Sequence, residues 1–469
     1  MGRRDRKDQR IKELETQVAE LKELLSKAMA RIAELEERLN KDSTNSSKPP
    51  SSDPPSAERV RKKPSSRKPG GQPGHAKHER VFLKPDRVRD VKPCACGRCG
   101  AQLHGEDPNP ERHQVVELPK VKPDVCDFML HALTCEHCGQ TTRAELPRGV
   151  PRRGFGPRLT SLVSLCSGKY RLSKRMIQTL LSDLMGVEIS LGSISNLEQE
   201  TSIALATPYD EAAAQISEQP VVNMDETGWF EGRKNGRAGR AWLWMATTAA
   251  VTVFLISRSR GAAIARKLLG DDFSGLLGSD RWSGYAWVAA ERRQLCWAHL
   301  LRDFQGFVDR KDEGAPLGEG LLHAAAKMFR LWHRVRDGTL SRAAFQKQMK
   351  PVRKRILSLL REASVCFAPK TAGMAKAILE VEAALFTFVD HDEIEPTNNV
   401  SERKVRHGVM WRKTSFGTQG AKGSRFVERI LTADATLRQQ NRNVLEFIAA
   451  ALQARLDRSM PPSLLPQIP

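Results

Sequence analysis

Residues 220–230 read PVVNMDETGWF, an apolar, β-branched run that leads into two adjacent carboxylates and a tryptophan. Two runs of similar texture follow, AWLWMATT at 241–248 and VTVFLISRS at 251–259, joined by GRKNGRAGR and by a short alanine turn. Short β-prone runs bounded by glycine-rich breaks predict sequential strands. Beyond them the pattern predicts a helix over Ala262–Leu269, a strand in SGLLGSD (274–280), a further short helix and a strand in QLCWAH (294–299). The longest apolar stretch, Ala241 to Ile256, contains three threonines and falls short of the roughly 20 residues a membrane helix needs, so no membrane role is expected.

Three strands, helix, strand, helix, strand is the order of a ribonuclease H-like core, and the chain as a whole reads as a multidomain α/β protein. From Leu300 to about Val389 the pattern is helical almost throughout, and a final helical region begins after Thr397-Asn398-Asn399. The expected division is a first part of the core at 208–299, an all-helical insertion at 300–390, and a second part with C-terminal helices at 391–469.

Four segments precede the core. At 1–40 the apolar positions Ile11, Leu14, Val18, Leu21, Leu25, Ala28, Ile32, Leu35 and Leu39 alternate in threes and fours, a heptad seam that predicts a coiled coil and a homodimer or higher assembly. Residues 41–80 are rich in Ser, Pro, Gly, Lys and Arg, and are expected to form a basic linker; His75 and His78 within it read as solvated. Residues 81–148 carry two CxxC units, Cys96/Cys99 and Cys135/Cys138. Four thiolates in that spacing suit one structural Zn2+ in a small ribbon, with Cys94 an alternative to Cys96 as first ligand and Cys126 left over. In the helical segment 149–207, Leu159–Cys166, Ser173–Leu184 and Ser190–Leu205 predict three helices, with Gly186 as a break and Ser190 as a cap, in a helix-turn-helix-like arrangement that binds DNA, a plain helical bundle being the alternative.

The 76 Lys and Arg exceed the 55 Asp and Glu, leaving a formal charge of +21 spread along the chain, which points to nucleic acid as the partner. The charged opening MGRRDRKDQR lacks a secretory apolar core, and the tight CxxC spacing suits a reducing compartment. A cytoplasmic, nucleoid-associated protein is expected.

Three carboxylates are candidate catalytic and metal-binding groups. Asp225 closes Val221-Val222-Asn223-Met224, and Asp280 closes Leu276-Leu277-Gly278-Ser279; in the proposed order these strands are sheet neighbours. Glu226 should face away from Asp225. Glu402 lies near the start of the helix after the Asn pair, where a capping box with Asn399 as N-cap is the alternative to a ligand role. Such hard oxygen donors suit two Mg2+ or Mn2+ ions, the arrangement that supports in-line phosphoryl transfer.

DETGW, SDRWSGY, CWAHLLRDF and NNVSERKVR occur in that order, behind NSSKPPSSD, a heptad seam and paired CxxC units. In this the chain resembles the large transposase of the insertion sequence 66 family over nearly its whole length. The resemblance implies a DDE transposase that cleaves DNA at insertion-sequence ends and transfers the strand, with Asp225, Asp280 and Glu402 as the triad. Arg281-Trp282 and Ser401 depart from a Gly-Tyr pair and an Ala common in that family, while the triad itself is intact. It also implies DNA ends and target DNA as partners, with accessory proteins of the same element possible. His299, Arg302, Arg403, Arg406, Arg412 and Lys413 are candidate DNA contacts, with Trp411 beside them for stacking. The rival readings are a non-catalytic zinc-ribbon DNA-binding regulator and a metal-dependent nuclease that does not join strands.

Overall fold

The computed structural model describes residues 3–39, 80–234 and 237–466. The basic linker expected at 41–80 lies outside the described residues except for Arg80, and so do His75 and His78. The chain begins with one long helix, α1 (Arg3–Leu39), whose apolar side chains from Leu14 onward, Val18, Leu21, Leu25, Ile32, Leu35 and Leu39 among them, are exposed. The next segment holds the hairpin β1 (Ala132–Thr134) and β2 (Thr141–Arg143), and no residue between 80 and 148 is buried.

Three helices follow, α2 (Pro157–Gly168), α3 (Lys174–Met185) and α4 (Leu191–Ala204). Their limits follow from local chemistry: Ser173 and Ser190 accept backbone N–H groups as N-caps, and Gly186 ends α3 in the left-handed conformation. Val163, Cys166, Ile177, Leu181, Ile189, Ile194 and Leu197 form their shared core. The short helix α5 (Ala206–Ala214) leads to the sheet.

The sheet contains β3 (Val221–Lys234), β4 (Arg237–Thr247), β5 (Thr252–Ser257), β6 (Leu276–Ser279) and β7 (Arg293–Leu295), in spatial order β5-β4-β3-β6-β7. β3, β4 and β5 pair antiparallel, whereas β6 and β7 add in parallel beyond β3. The strand order expected from sequence is observed, and α6 (Ala262–Leu269) links β5 to β6 with the expected limits. Three details differ. β3 does not stop at Asp225 but continues through a hairpin with β4, because the residues after it still alternate for pairing. In place of a helix between β6 and β7 there are two single turns, Ser283–Tyr285 and Ala290–Arg292. β7 ends at Leu295, since Cys296 already caps the next helix.

The region expected to be helical is built from α7 (Trp297–Asp309), α8 (Ala315–Arg336), α9 (Arg342–Ser364), α10 (Pro369–Leu379), a turn at Glu382–Leu385 and α11 (Thr387–Asp390). It has its own apolar core around Phe304, Phe307, Phe345, Phe386 and Phe388. Polar bonds fasten it to β7: Gln294 Nε2 donates to Leu385 O (3.2 Å), and Phe388 N donates to Gln294 Oε1 (2.8 Å).

The chain then returns to the sheet through α12 (Asn399–Ser415), α13 (Ala421–Gln439) and α14 (Val444–Leu456). Helix α12 lies close to β4 because Gly408 has no side chain; a Cβ there would meet Leu243 Cδ2 at 2.0 Å. Helix α13 covers the sheet edge. The outward N–H groups of Thr252, Phe254 and Ile256 donate to Thr436 Oγ1 (3.0 Å), Thr432 Oγ1 (3.0 Å) and Glu428 Oε1 (2.6 Å). The match is geometric: two residues of strand advance about 6.6 Å and four residues of helix about 6 Å. The helices α2–α4 pack on the same C-terminal region, with Lys169 on Asp434 (2.5 Å), Arg429 Nη1 donating to Ser202 O (2.8 Å), and Gly168 against Ile430.

Replacing one edge-covering hydroxyl should expose the cost of an unpaired buried amide. Thr432→Val is expected to destabilise the protein by about 1–3 kcal/mol in a denaturant melt, with Thr432→Ser close to the parent. Equal loss in both variants would mean that packing, not the hydrogen bond, is what Thr432 supplies.

Candidate active site

Asp225 and Asp280 are brought together by strand register. β3 and β6 pair in parallel with Asn223 opposite Gly278, and the two aspartates each lie two residues further on. Period-two alternation puts both on the face of Asn223 and Gly278, on strands about 4.8 Å apart. β6 ends at Ser279, so Asp225 sits where β3 loses its parallel neighbour. An aspartate in the middle of a strand is thereby accommodated at a local sheet edge.

Asp225 Oδ1 accepts the Glu226 N–H (2.9 Å), and Asp280 Oδ1 accepts the Trp282 N–H (2.9 Å). Burial pushes the Asp225 carboxyl well above the usual range, and the charges of Glu226, Asp280 and Glu402 add to the shift.

Glu402 comes from the other side of the long helical region. The N-cap of α12 is Asn398, one residue before the expected position, and its side chain caps nothing. Asn398 Nδ2 instead donates to Met224 O (2.6 Å), and its N–H points to Cys296 Sγ (3.2 Å). This pins the start of α12 beside Asp225. Glu402 is then the fourth residue of the helix, outside the capping-box position, and its Oε1 is buried with no hydrogen-bond partner. His299 Nδ1 lies 3.7 Å from that oxygen and is likewise buried and unbonded. Burial lowers the His299 pKa, with Arg302 adding to the effect against nearby Asp280 and Glu402. Cys296, His299 and Glu402 are the one group of three potential metal ligands within 4.8 Å of one another among the described residues.

Sequence reading missed the supports on the opposite face. Glu226 faces away from Asp225 as expected, and it is held rather than solvated. Arg260 donates to its Oε1 through Nε (3.0 Å) and Nη2 (2.8 Å), and Tyr285 donates to its Oε2 (2.6 Å). The guanidinium lies between Trp242 and Trp282, 4.6 and 4.8 Å from the ring centroids. Burial raises the Glu226 pKa, with Asp280 the next cause. Arg281 Nη2, on the loop after Asp280, reaches Asp303 Oδ2 (3.5 Å). The second acid of DETGW and the aromatics of SDRWSGY were visible in sequence, but Arg260 carried no signal of its own.

The basic residues of α12 divide. Arg403, Arg406 and Lys413 are exposed, and Arg302 is half-buried near His299 and Asp303. Arg412 Nη1 donates to Gly228 O (2.8 Å), tying α12 to β3, and Trp411 is buried in the core rather than open for stacking. Lys404 points inward, donating to Thr247 Oγ1 (2.8 Å), Thr252 Oγ1 (2.6 Å) and Gln439; burial, with Arg403 nearby, pushes its ammonium down to about 8.

Each CxxC unit forms a tight turn, with the Gly100 N–H donating to Cys96 O (2.9 Å) and the Gly139 N–H to Cys135 O (2.8 Å). Both glycines have positive φ, 74° and 73°. Amides of Arg98 and Cys99 lower the Cys96 thiol pKa, and those of His137 and Cys138 lower that of Cys135. No three of these sulfurs gather within 4.8 Å.

Crowded carboxylates make a stability test available. Asp225 titrates higher folded than unfolded, so in chelator its contribution to stability is present below its unfolded pKa and lost as pH rises through the folded one. Asp225→Asn should therefore raise the melting temperature at neutral pH by roughly 2–4 °C and flatten the fall in stability with rising pH. Unchanged melting across pH 4–8, read by calorimetry in chelator, would contradict this account of the site, the range being set around the usual aspartate pKa of ~3.9.

No helix among the described residues is long and apolar enough to cross a membrane. A family described as Transposase IS66 family matches residues 154–425, and a family of unknown function matches residues 3–81. No curated protein matches the chain. The match at 154–425 spans the three-helix segment, the whole sheet, the helical region and α12, so the resemblance read from the motifs holds: the chain belongs to the IS66 transposase family, enzymes that act on DNA.

Proposed function

We propose that this protein is a DDE transposase that cleaves DNA at the ends of its insertion sequence and joins the freed strand to target DNA, with Asp225, Asp280 and Glu402 as the catalytic triad. The observation that carries this reading is the matched register of Asp225 and Asp280 on adjacent parallel strands, with the start of α12 bonded to Met224. The sheet order, antiparallel on one side of β3 and parallel on the other, supports the reading of a ribonuclease H-like core.

The donor set fits hard divalent cations. Asp225 is destabilised as an anion by burial and by the charges of Glu226, Asp280 and Glu402, and Glu402 Oε1 lacks any donor. Asp225, Asp280 and Glu402 would hold two Mg2+ or Mn2+ ions, which supply activation of the attacking oxygen and stabilisation of the leaving one. The protein's own part is positional. Glu226, clamped by Arg260 and Tyr285, braces the loop that carries Asp280. Arg403, Arg406 and Lys413 offer exposed cations to DNA phosphates near the triad, and His299 and Arg302 lie beside it.

Remaining parts are assigned by the same reading. The CxxC turns would gather around one Zn2+, giving a ribbon to a segment with no buried residue. Helices α2–α4 would contact the element's ends as a helix-turn-helix-like unit. The exposed heptad seam of α1 would pair with a second copy.

An in vitro assay with the element's own ends and Mg2+ tests the assignment. Asp225→Ala and Asp280→Ala should each retain end binding and lose cleavage by about 100-fold or more, as expected for removal of a transition-state electrostatic group. Equal cleavage by the parent and both variants would refute the triad. Cleavage with no joined product would identify a nuclease instead.

A further inference from the structure

Cys296-Trp297-Ala298-His299 lies at the join between β7 and α7, and the proposed chemistry assigns Cys296 no part. Its sulfur is buried, yet it accepts the Asn398 N–H at 3.2 Å and lies within reach of the amides of Ala298 and His299. The amides two and three residues after the cysteine therefore turn toward its sulfur. Amides at the same spacing lie by Cys96 and Cys135, where they lower the thiol pKa; at Cys296 burial is the larger effect and pushes the thiol up. Amide donors aimed at sulfur favour the thiolate, the form that binds metal.

The other two donors converge on the same point. His299 Nδ1 and Glu402 Oε1 are buried, lack hydrogen-bond partners and stand 3.7 Å apart. Ligand bonds of 2.0–2.3 Å in tetrahedral array separate donor atoms by about 3.3–3.8 Å. One ligand atom from each of the three side chains lies within 4.8 Å of the others, so small side-chain movements close the set. Two buried polar atoms without partners are costly as they stand, and a shared cation relieves both.

We propose that Cys296, His299 and Glu402 form a site for a thiophilic divalent cation, with zinc the ion its donors suit best. A sulfur, an imidazole nitrogen and a carboxylate oxygen select Zn2+ over Mg2+, and three protein ligands leave a fourth position for water. The ion would fasten the start of α7 to the start of α12. It would hold Glu402 by Oε1 and leave Oε2 for the cleft, so the ligand that comes from furthest along the chain gains a fixed orientation. This inference touches the catalytic reading only through Glu402.

The test is zinc content per chain of the full-length protein, purified with zinc and dialysed against Mg2+ buffer, together with Co2+ absorption spectra. The parent should hold about one equivalent more than Cys296→Ser and than His299→Ala, each checked for folding by circular dichroism. The sulfur-to-cobalt band should weaken in Cys296→Ser and persist in His299→Ala reconstituted at higher Co2+. Asp225→Asn should keep the extra equivalent, so failure of the catalytic triad appears in cleavage and failure of this site in zinc content. Equal zinc in the parent, Cys296→Ser and His299→Ala would overturn the proposal.

Discussion

The parallel pairing of β3 with β6 is the constraint on which the rest of the molecule depends. Three registered pairs, ending at Asn223 and Gly278, put Asp225 and Asp280 at equivalent positions two residues on. A slip of one residue would turn one aspartate to the opposite face, where Glu226, Trp244 and Tyr285 are packed. The register is protected by close approach: a Cβ on Gly278 would sit 2.2 Å from Asn223 Oδ1. Burial of Val222, Met224 and Leu277 holds the strands from the core side.

Electrostatic strain at one face is balanced by bonding at the other. Asp225 and Glu402 are held near each other with few donors, while Glu226 receives three hydrogen bonds from Arg260 and Tyr285. The Arg260 guanidinium is itself fixed between two tryptophans, a stacking that a lysine could not reproduce. A site with unsatisfied carboxylates therefore rests on a bonded and stacked layer beneath it. That arrangement suits the proposed cation site, since donors already saturated by the protein have little to offer a metal.

The C-terminal helices join parts that are distant in sequence. Helix α13 caps the amides of β5 with Thr436, Thr432 and Glu428, removing an exposed sheet edge. The same helix receives Lys169 and Ser202 from the three-helix segment, so the sheet and that segment share one support. The helical region between α7 and α11 has a separate core and meets the sheet through Gln294 of β7.

Sequence by itself determined the strand order, the limits of α6, the cap at Ser190, the break at Gly186, and the family, because these depend on local periodicity, cap chemistry and ordered motifs. It also named the three carboxylates, but it read Asp225 as a strand end and left Glu402 open to a capping role. Tertiary structure decided both. Asp225 lies inside β3 because the hairpin with β4 extends past the end of β6, and Asn398 bonds Met224 O instead of capping its helix. The inward turn of Lys404, Arg412 and Trp411 was likewise invisible along the chain. Charge and aromatic character belong to a residue, but the face it presents depends on a partner that, for Glu402, lies more than a hundred residues away.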